Sequence, residues 1–343
     1  MDIVYTDRHR AHAPRAFLVR GRVAPNFEVP ERAALLLGAL AGRHRVIAPR
    51  GHGAAPVRAV HDQGYLDFLA EGHARWRELP GAGEEILPNV HPGRNMHHRP
   101  KGIVGLAGLY MADTACPIGA GTWEAASAAA DVALTATRLV LDGAPVAYGL
   151  CRPPGHHAYA DQAGGFCYLN NAAIAAQLLR DAGHPRVAVL DVDVHHGNGT
   201  QGIFCRRGDV FFASVHAEPS SFYPFYAGYA EETGEGEGVG ANLNLPLDHG
   251  SGDAEMLAAV ERALGAIRGH GAGALVISLG FDASEHDPFA VLRVTTEGFG
   301  AIAARIAALG LPTVLIQEGG YVSDALGANL ARFLDAFEEA RRG

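Results

Sequence analysis

Short runs of Val, Ile and Leu recur along the chain, and Ala- and Leu-rich segments with helical spacing lie between them. Several of these runs lack polar alternation, which is typical of strands buried on both faces of a parallel sheet. The predicted strands are 146–150, 186–194, 210–216, 274–280 and 313–318. The predicted helices are about 121–142, 169–182, 253–269, 295–310 and 323–341.

This alternation predicts an α/β fold, in which a parallel β-sheet carries helices on both faces. The 343 residues are 48% hydrophobic and 19% charged, which is typical of a folded chain with a large core. No repeat or linker divides the sequence, so we expect a single domain, 1–343. Residues 87–121 are rich in Pro, Gly, Met and His, and we expect a loop insertion there. Such a loop serves as a lid or an oligomer contact, or is a plain surface excursion.

Charge and cysteine content narrow the class of protein. The net charge is −9, and the dense basic run of a nucleic-acid-binding protein is absent from the sequence. The sequence contains neither a signal-peptide pattern nor a long uncharged apolar stretch, so we expect no membrane partner. The four cysteines form no CxxC pair, which favours reduced thiols and a cytoplasmic location.

Polar motifs follow four of the predicted strands. In an open α/β sheet the carboxyl ends of the strands meet at one edge, and ligands bind there. The four polar segments are 151–171, 193–201, 281–288 and 317–321. We therefore expect their side chains to converge on one site.

The segment DVDVHHGN, residues 191–198, is the strongest candidate for a metal site. If the strand continues through it, Asp191, Asp193 and His195 share one face. Two carboxylates and an imidazole on one face favour a bound cation. Asp193 and His195 are spaced to hold one divalent ion, and Asp282 is the best candidate for a third ligand. Three protein ligands leave a position open for water, as in a catalytic zinc site; the alternative is a hydrogen-bonded cluster without metal.

Two adjacent histidines, His156 and His157, follow a Pro-Pro-Gly turn. A neutral imidazole can take a proton from water and return it to a leaving amine. We expect Asp191 to bind one ring and Asn198 the other. A purely structural histidine pair is the alternative.

Tyr321 follows two glycines, which permit a tight turn that aims the phenol into a cleft. A phenol O–H is a good donor to an oxygen that becomes negative during a reaction, although a buried structural tyrosine is also consistent with the pattern. Gly165, Phe166 and Tyr223 supply small and aromatic walls suited to a slim aliphatic chain, or else ordinary core packing.

Five motifs together resemble the zinc-dependent histone deacetylase family. They are PPGHH (153–157), GGFCYLNN (164–171), DVDVHHGNGTQ (191–201), GFDA (280–283) and EGGY (318–321). The resemblance runs from about residue 28 to the C-terminus. CRPPGHH, NNAAIAAQ and FYAGYAEETG look most like the bacterial acetylpolyamine amidohydrolase branch.

The resemblance implies the arginase/deacetylase fold and one zinc ion per chain, held by Asp193, His195 and Asp282. It implies that His157 is the general base, with His156 as its electrostatic or acid partner. It also implies that Tyr321 polarises the amide carbonyl.

Family members also bind a monovalent cation, usually potassium. By motif position, the expected ligands are Asp191, the main-chain carbonyls of Asp193 and His195, Ser214 and Val215.

The branch also implies a homodimer, in which residues 87–121 shape a narrow tunnel. Polyamine-cleaving members hold the distal ammonium with an acidic residue near the entrance, and Asp113 is the only acidic residue in the matching stretch. Two departures stand out. Asn198 replaces an Asp of some members, and Glu318 stands where others have a third glycine.

The expected function is the hydrolysis of N-acetylated polyamines or similar small primary amines, through attack by a metal-activated water. A protein acetyl-lysine deacetylase is the alternative within the same fold. An arginase-like ureohydrolase would hold two manganese ions, and too few acidic residues lie near Asp193 and Asp282 for a second metal. A non-catalytic sensor of acetylated amines would tend to lack the tyrosine or the histidine pair, and this chain has both.

Overall fold

A computed structural model describes residues 1–342. Its ten strands are β1 (Asp2–Val4), β2 (Ala16–Val19), β3 (Arg22–Pro25), β4 (Arg45–Ile47), β5 (Val146–Gly149), β6 (Val187–Asp191), β7 (Val210–Ala217), β8 (Asn242–Leu247), β9 (Ala274–Leu279) and β10 (Thr313–Gln317). Eight of them form one sheet in the order β4-β1-β5-β10-β9-β6-β7-β8, with every neighbouring pair parallel. Strands β2 and β3 form a separate antiparallel hairpin. The predicted α/β fold with a parallel sheet is therefore confirmed.

Ten α-helices accompany these strands within residues 1–342. They are α1 (Glu31–Ala39), α2 (Ala55–Arg58), α3 (Gln63–Arg77), α4 (Ile103–Tyr110), α5 (Thr122–Leu141), α6 (Asn171–Asp181), α7 (Asn198–Phe204), α8 (Asp253–His270), α9 (Thr296–Ala307) and α10 (Leu326–Arg342). In this part of the chain, no helix is both long and apolar enough to cross a membrane. All four cysteines are free.

The sheet has an apolar core on each face, as expected for strands buried on both sides. Along β9, Leu275 and Ile277 point to the core that α1, α8, α9 and α10 cover. The alternate residue, Val276, points to the opposite core, covered by α3, α5 and α6. This two-sided burial holds the central strands rigidly, so the loops at their carboxyl ends start from fixed positions.

The sequence pattern predicts the five central strands but not the edges of the sheet. Strands β1 and β4 have only three residues each, too few for a recognisable run. Strand β8, with the sequence NLNLPL, is an edge strand that lacks a continuous apolar run because its Asn242 and Asn244 side chains are buried and hydrogen-bonded to Gln201. The separate hairpin of β2 and β3 closes through the two-residue turn Arg20–Gly21. Both turn residues have positive φ, as hairpin turns require.

Two predicted boundaries need correction. The predicted strand 186–194 ends at Asp191, where its pairing with β9 also ends. The predicted loop insertion at 87–121 contains α4, so it is not a loop throughout. Helix α4 buries Leu106 and Ala107 against residues of α3, which explains why this Gly-rich apolar stretch is helical.

Candidate active site

The four polar segments follow β5, β6, β9 and β10, which are neighbours in the sheet. Their carboxyl ends bring Asp193, Asp282, Tyr321 and the His156–His157 pair to the same edge. All of these side chains are buried. The convergence predicted from the strand ends is therefore present.

Asp193, His195 and Asp282 form one cluster, in which three potential ligand atoms lie within 4.8 Å of one another. The Nδ1 atom of His195 lies 3.2 Å from Asp193 Oδ1 and 3.3 Å from Asp282 Oδ2. Strand alternation does not produce this pairing, because β6 ends at Asp191. Instead, the His195 amide donates to Asp193 Oδ1 at 2.9 Å, which closes a tight turn beyond the strand.

The surroundings of this cluster fit a divalent cation. Asp282 Oδ1 accepts a hydrogen bond from the Val194 amide at 3.0 Å, but the buried Oδ2 atom accepts none. A Cβ added at Gly319 would collide with the Oδ2 atoms of Asp282 and Asp193, the second of which accepts the Gly319 amide at 2.8 Å. Glycine therefore keeps open a space toward which two carboxylates point, and a buried carboxylate oxygen without a partner is costly.

The charge of the cluster gives independent support for a cation. Burial alone would lower the pKa of His195, but the adjacent carboxylates of Asp193 and Asp282 outweigh burial and raise that pKa to about 9. The two carboxylates therefore favour one positive charge at this point. Oxygen and imidazole ligands of this kind suit zinc.

The two histidines next to the cluster have opposite electrostatic environments. His156 Nδ1 donates to Asp191 Oδ2 at 2.8 Å, and although burial lowers its pKa, the charges of Asp191 and Asp193 raise it to about 10. His157 Nδ1 donates to Asn198 Oδ1 at 2.6 Å. Burial, and then the positive charge of His156, hold the pKa of His157 well below its usual range.

At neutral pH this pair consists of one imidazolium, His156, and one neutral imidazole, His157. The rings are close, with centroids 4.0 Å apart. Because Asn198 occupies Nδ1 of His157, the lone pair on its Nε2 is the one available to a proton. The expected ring partners, Asp191 and Asn198, are both in place.

Tyr321 lies on the turn that follows β10, and only 3% of its surface is exposed. Its amide donates to Asp287 Oδ2 at 2.7 Å. Its ring packs edge-on against Phe166 and Phe289, and the Arg32 guanidinium lies 4.8 Å from the ring centroid. Burial raises the pKa of the phenol well above its usual value, so the hydroxyl stays protonated and able to donate.

A cavity of about 350 Å³ leads to His157, His195 and Tyr321. Its walls are mainly aromatic: Phe17, Phe166, Phe222, Tyr223, Phe225 and Phe289. Gly165 also lines it, so the three predicted wall residues are all present. Gly165 lies tightly against the imidazole of His157, which leaves no space there for a Cβ.

Asp113 lies in the wall of this cavity and is already hydrogen-bonded. Its Oδ2 accepts the Tyr223 hydroxyl at 2.7 Å and the Gly165 amide at 2.9 Å. Its Oδ1 accepts the Ala115 amide at 2.7 Å. Asp113 therefore joins two walls of the cavity, a role that the sequence alone does not reveal.

The residues expected to hold a monovalent cation lie on β6 and β7 or directly beyond β6. Asp191 pairs with Ser214 in the parallel ladder, and Val215 follows on β7. Ser214 Oγ lies 2.8 Å from His216 Nδ1. The residues expected to hold the monovalent cation and those expected to hold zinc thus lie in adjacent loops and strands.

Several residues at the site are not found by sequence reasoning. Phe17 reaches the cavity from the hairpin, and Phe222 stacks on His195 with centroids 4.7 Å apart. Phe289 lies 4.9 Å from Tyr321, ring to ring. Phe222 directly precedes the predicted wall residue Tyr223, which is a usable signal, whereas Phe17 and Phe289 are single aromatics in loops or short strands.

Comparison with known proteins gives consistent matches. Residues 26–337 match the histone deacetylase domain. An acetylpolyamine amidohydrolase of Burkholderia pseudomallei is 49% identical over 332 residues, which cover 96% of each chain. Acetylpolyamine amidohydrolase 1 of Pseudomonas aeruginosa is 47% identical over 344 residues, 99% of each chain. A crystal structure of acetylpolyamine aminohydrolase from Burkholderia pseudomallei has a TM-score of 0.95 at 48% identity, with 98% of each chain covered.

The matched region contains every motif of the site, and the similarity extends over nearly the full length of these relatives. The chain belongs to the histone deacetylase family, in the branch of the bacterial acetylpolyamine amidohydrolases.

Proposed function

We propose that this chain is a zinc-dependent amidohydrolase that removes acetyl groups from N-acetylated polyamines or similar small primary amines. The observation that carries the proposal is the Asp193–His195–Asp282 cluster at the end of an aromatic cavity, beside a neutral and a protonated histidine. The names of the full-length relatives support the same substrate class.

Asp193, His195 and Asp282 would hold the zinc ion. When bound, zinc acts as a Lewis acid that polarises the acetyl carbonyl and acidifies water. His157, neutral and with a free Nε2, accepts the proton of the water molecule as its oxygen bonds to the acetyl carbon. The C–N bond then breaks, a histidine returns a proton to the amine, and acetate and the free amine leave.

The remaining polar groups stabilise charge during this reaction. Tyr321 donates its phenol hydrogen to the carbonyl oxygen as negative charge develops there. His156 stays protonated beside Asp191, and burial together with the charge of His156 keeps the pKa of His157 low. The imidazole therefore remains neutral, ready to accept a proton.

The cavity suits a thin, flexible chain. Its aromatic walls contact methylene groups, and it contains a single carboxylate, Asp113, among its lining residues. We propose that Asp113 attracts the distal ammonium of the substrate in addition to joining Tyr223 and Gly165. Residues 113–115 of the 87–121 segment line the cavity, which supports the placement of that segment at the entrance of a single deacetylase domain, 1–343.

Three further features belong to the same proposal. A potassium ion would be held by Asp191, Ser214 and Val215 together with the main-chain carbonyls of Asp193 and His195. The pairing of Asp191 with Ser214 in the β6–β7 ladder supports this set of ligands. A homodimer would cover exposed apolar residues near the entrance, such as Phe225 and Val23. Four free cysteines favour a reducing, cytoplasmic location.

A substrate comparison tests the proposed function. We expect kcat/KM for N-acetylputrescine or N-acetylcadaverine to exceed that for an acetyl-lysine peptide by about tenfold or more, because only the small amines carry a distal ammonium that Asp113 can attract. The measurement is the initial rate of amine release by zinc-loaded enzyme. A preference for the peptide would instead favour a protein deacetylase, and urea release from arginine would favour a ureohydrolase.

Replacement of Asp113 by Asn tests the proposed ammonium contact. We expect KM for N-acetylputrescine to rise by about tenfold, because a charge-assisted hydrogen bond contributes about 1.5–3 kcal/mol. N-butylacetamide, which lacks the distal ammonium, serves as the control substrate and should change little. Equal losses for both substrates would show that Asp113 acts only on the cavity wall.

A further inference from the structure

A fully buried carboxylate, Glu318, lies behind the two histidines and has no part in the mechanism above. Its Oε2 atom accepts the amide of Gly155 at 2.6 Å and the amide of His156 at 3.1 Å. Its Oε1 atom accepts the Ser278 hydroxyl at 3.2 Å. One side chain therefore binds two consecutive amides of the segment that carries both histidines.

The backbone of Glu318 is fixed as firmly as its side chain. Its amide donates to the Leu279 carbonyl at 2.9 Å, and its carbonyl accepts Arg32 Nη2 at 2.6 Å. Arg32 Nε also donates to the Gly320 carbonyl at 2.6 Å. The turn that carries Tyr321 is thus attached to the end of β9 and to α1, and Glu318 connects it to the histidine segment.

The histidine segment has little other freedom. The amides of Gly155 and His156 are buried, and buried amides without an acceptor are rare and costly. A Cβ at Gly155 would collide with the backbone of Asn171, so the segment lies directly against the start of α6. Without Glu318 these two amides would need another acceptor, and the segment would have to shift to reach one.

We propose that Glu318 is a positioning residue for the proposed deacetylation, because its carboxylate ties the segment bearing His157 to the turn bearing Tyr321 and so sets the separation of the two. This inference rests on the proposed function. A glycine at this position could make none of the three side-chain contacts. Effective proton transfer needs the acceptor within hydrogen-bond reach of the water, so a displacement of about 1 Å is sufficient to slow the reaction.

A second metal site is the competing explanation, since ligand atoms of His156, Cys167 and Glu318 lie within 4.8 Å of one another. These groups already have other partners. Glu318 accepts three hydrogen bonds, and His156 Nδ1 is bound to Asp191. Burial raises the pKa of the Cys167 thiol well above its usual value, so it is a neutral thiol and a poor ligand. The hydrogen bonds of Glu318 therefore favour a positioning role over a metal ligand.

The test compares Glu318→Ala, Glu318→Asp and Glu318→Gln with wild type, each loaded with zinc and assayed on N-acetylputrescine. We expect Glu318→Ala to lower kcat by about 10- to 100-fold with KM and zinc content unchanged. Glu318→Asp, one methylene shorter, should also lose kcat and covers the case in which the alanine variant does not fold. Glu318→Gln should recover most of kcat, because its amide oxygen can accept both backbone amides and its NH₂ can donate to Ser278.

Val314→Ala is the stability control, because it removes buried methyl groups from β10, the strand that precedes Glu318, without touching the site. Its kcat should stay at the wild-type value. Full kcat in Glu318→Ala, or a Gln variant as slow as the Ala variant, would contradict the positioning role of Glu318. Two zinc ions per wild-type chain would also contradict it. An inactive wild-type enzyme would instead refute the proposed function, so the two failures are distinguishable.

Discussion

Asp282→Asn is expected to remove bound zinc and to lower deacetylase activity on the order of a thousandfold or more, because a catalytic metal contributes several kcal/mol to the transition state. The substitution is selective. The amide oxygen of asparagine can still accept the Val194 amide, whereas its NH₂ replaces the carboxylate oxygen that has no hydrogen-bond partner. The loop should therefore keep its shape and lose one ligand.

The measurements for this variant are zinc content per chain after dialysis and kcat/KM on an acetylated polyamine. Asp248→Asn, on an exposed surface turn, makes the same chemical change away from the site and should behave as wild type. Full zinc occupancy and normal turnover in the Asp282 variant would exclude it from the metal site.

Tyr321→Phe should lower kcat by about 100- to 1000-fold and leave the zinc content unchanged, because a donor to a developing oxyanion is worth about 3–4 kcal/mol. The substitution removes a single oxygen. The packing of the ring on Phe166, Phe289 and Arg32 is retained, so the melting temperature should hardly change. Loss of kcat without loss of stability would place the phenol in the reaction.

Tyr226→Phe is the matched control, because Tyr226 is 93% exposed beside the cavity residue Phe225. Its turnover should equal that of wild type. If Tyr321→Phe retained near-normal kcat, the phenol would have no catalytic role, and the carbonyl would have to be polarised without it.

The sequence was sufficient to predict the central sheet and the grouping of the site because both follow from one regularity. Continuous apolar runs mark strands buried on two faces, and parallel strands have their carboxyl ends at one edge. Asp193, Asp282 and Tyr321 follow three such runs, so their proximity could be inferred without coordinates. The partners of the histidines, Asp191 and Asn198, were also predictable because they lie in the same motif as His195.

Contacts that depend on loop geometry could not be predicted in the same way. The sequence predicts Asp113 only as a charge near the entrance, whereas the structure shows it hydrogen-bonded to Tyr223 and Gly165. Glu318 appeared in the sequence only as a missing glycine, since nothing in the pattern indicates that two amides of a distant segment lie within its reach. The hairpin bearing Phe17 lies outside the main sheet, so the strand pattern gives no information about where it packs.

The most direct test of zinc-dependent deacetylation is a zinc titration of metal-free enzyme, with the rate of acetate release from N-acetylputrescine measured at each step. We predict no activity without metal, a linear rise, and a plateau at one zinc ion per chain. The same rate in the thoroughly metal-depleted protein, or no acetate release at any zinc concentration, would contradict it.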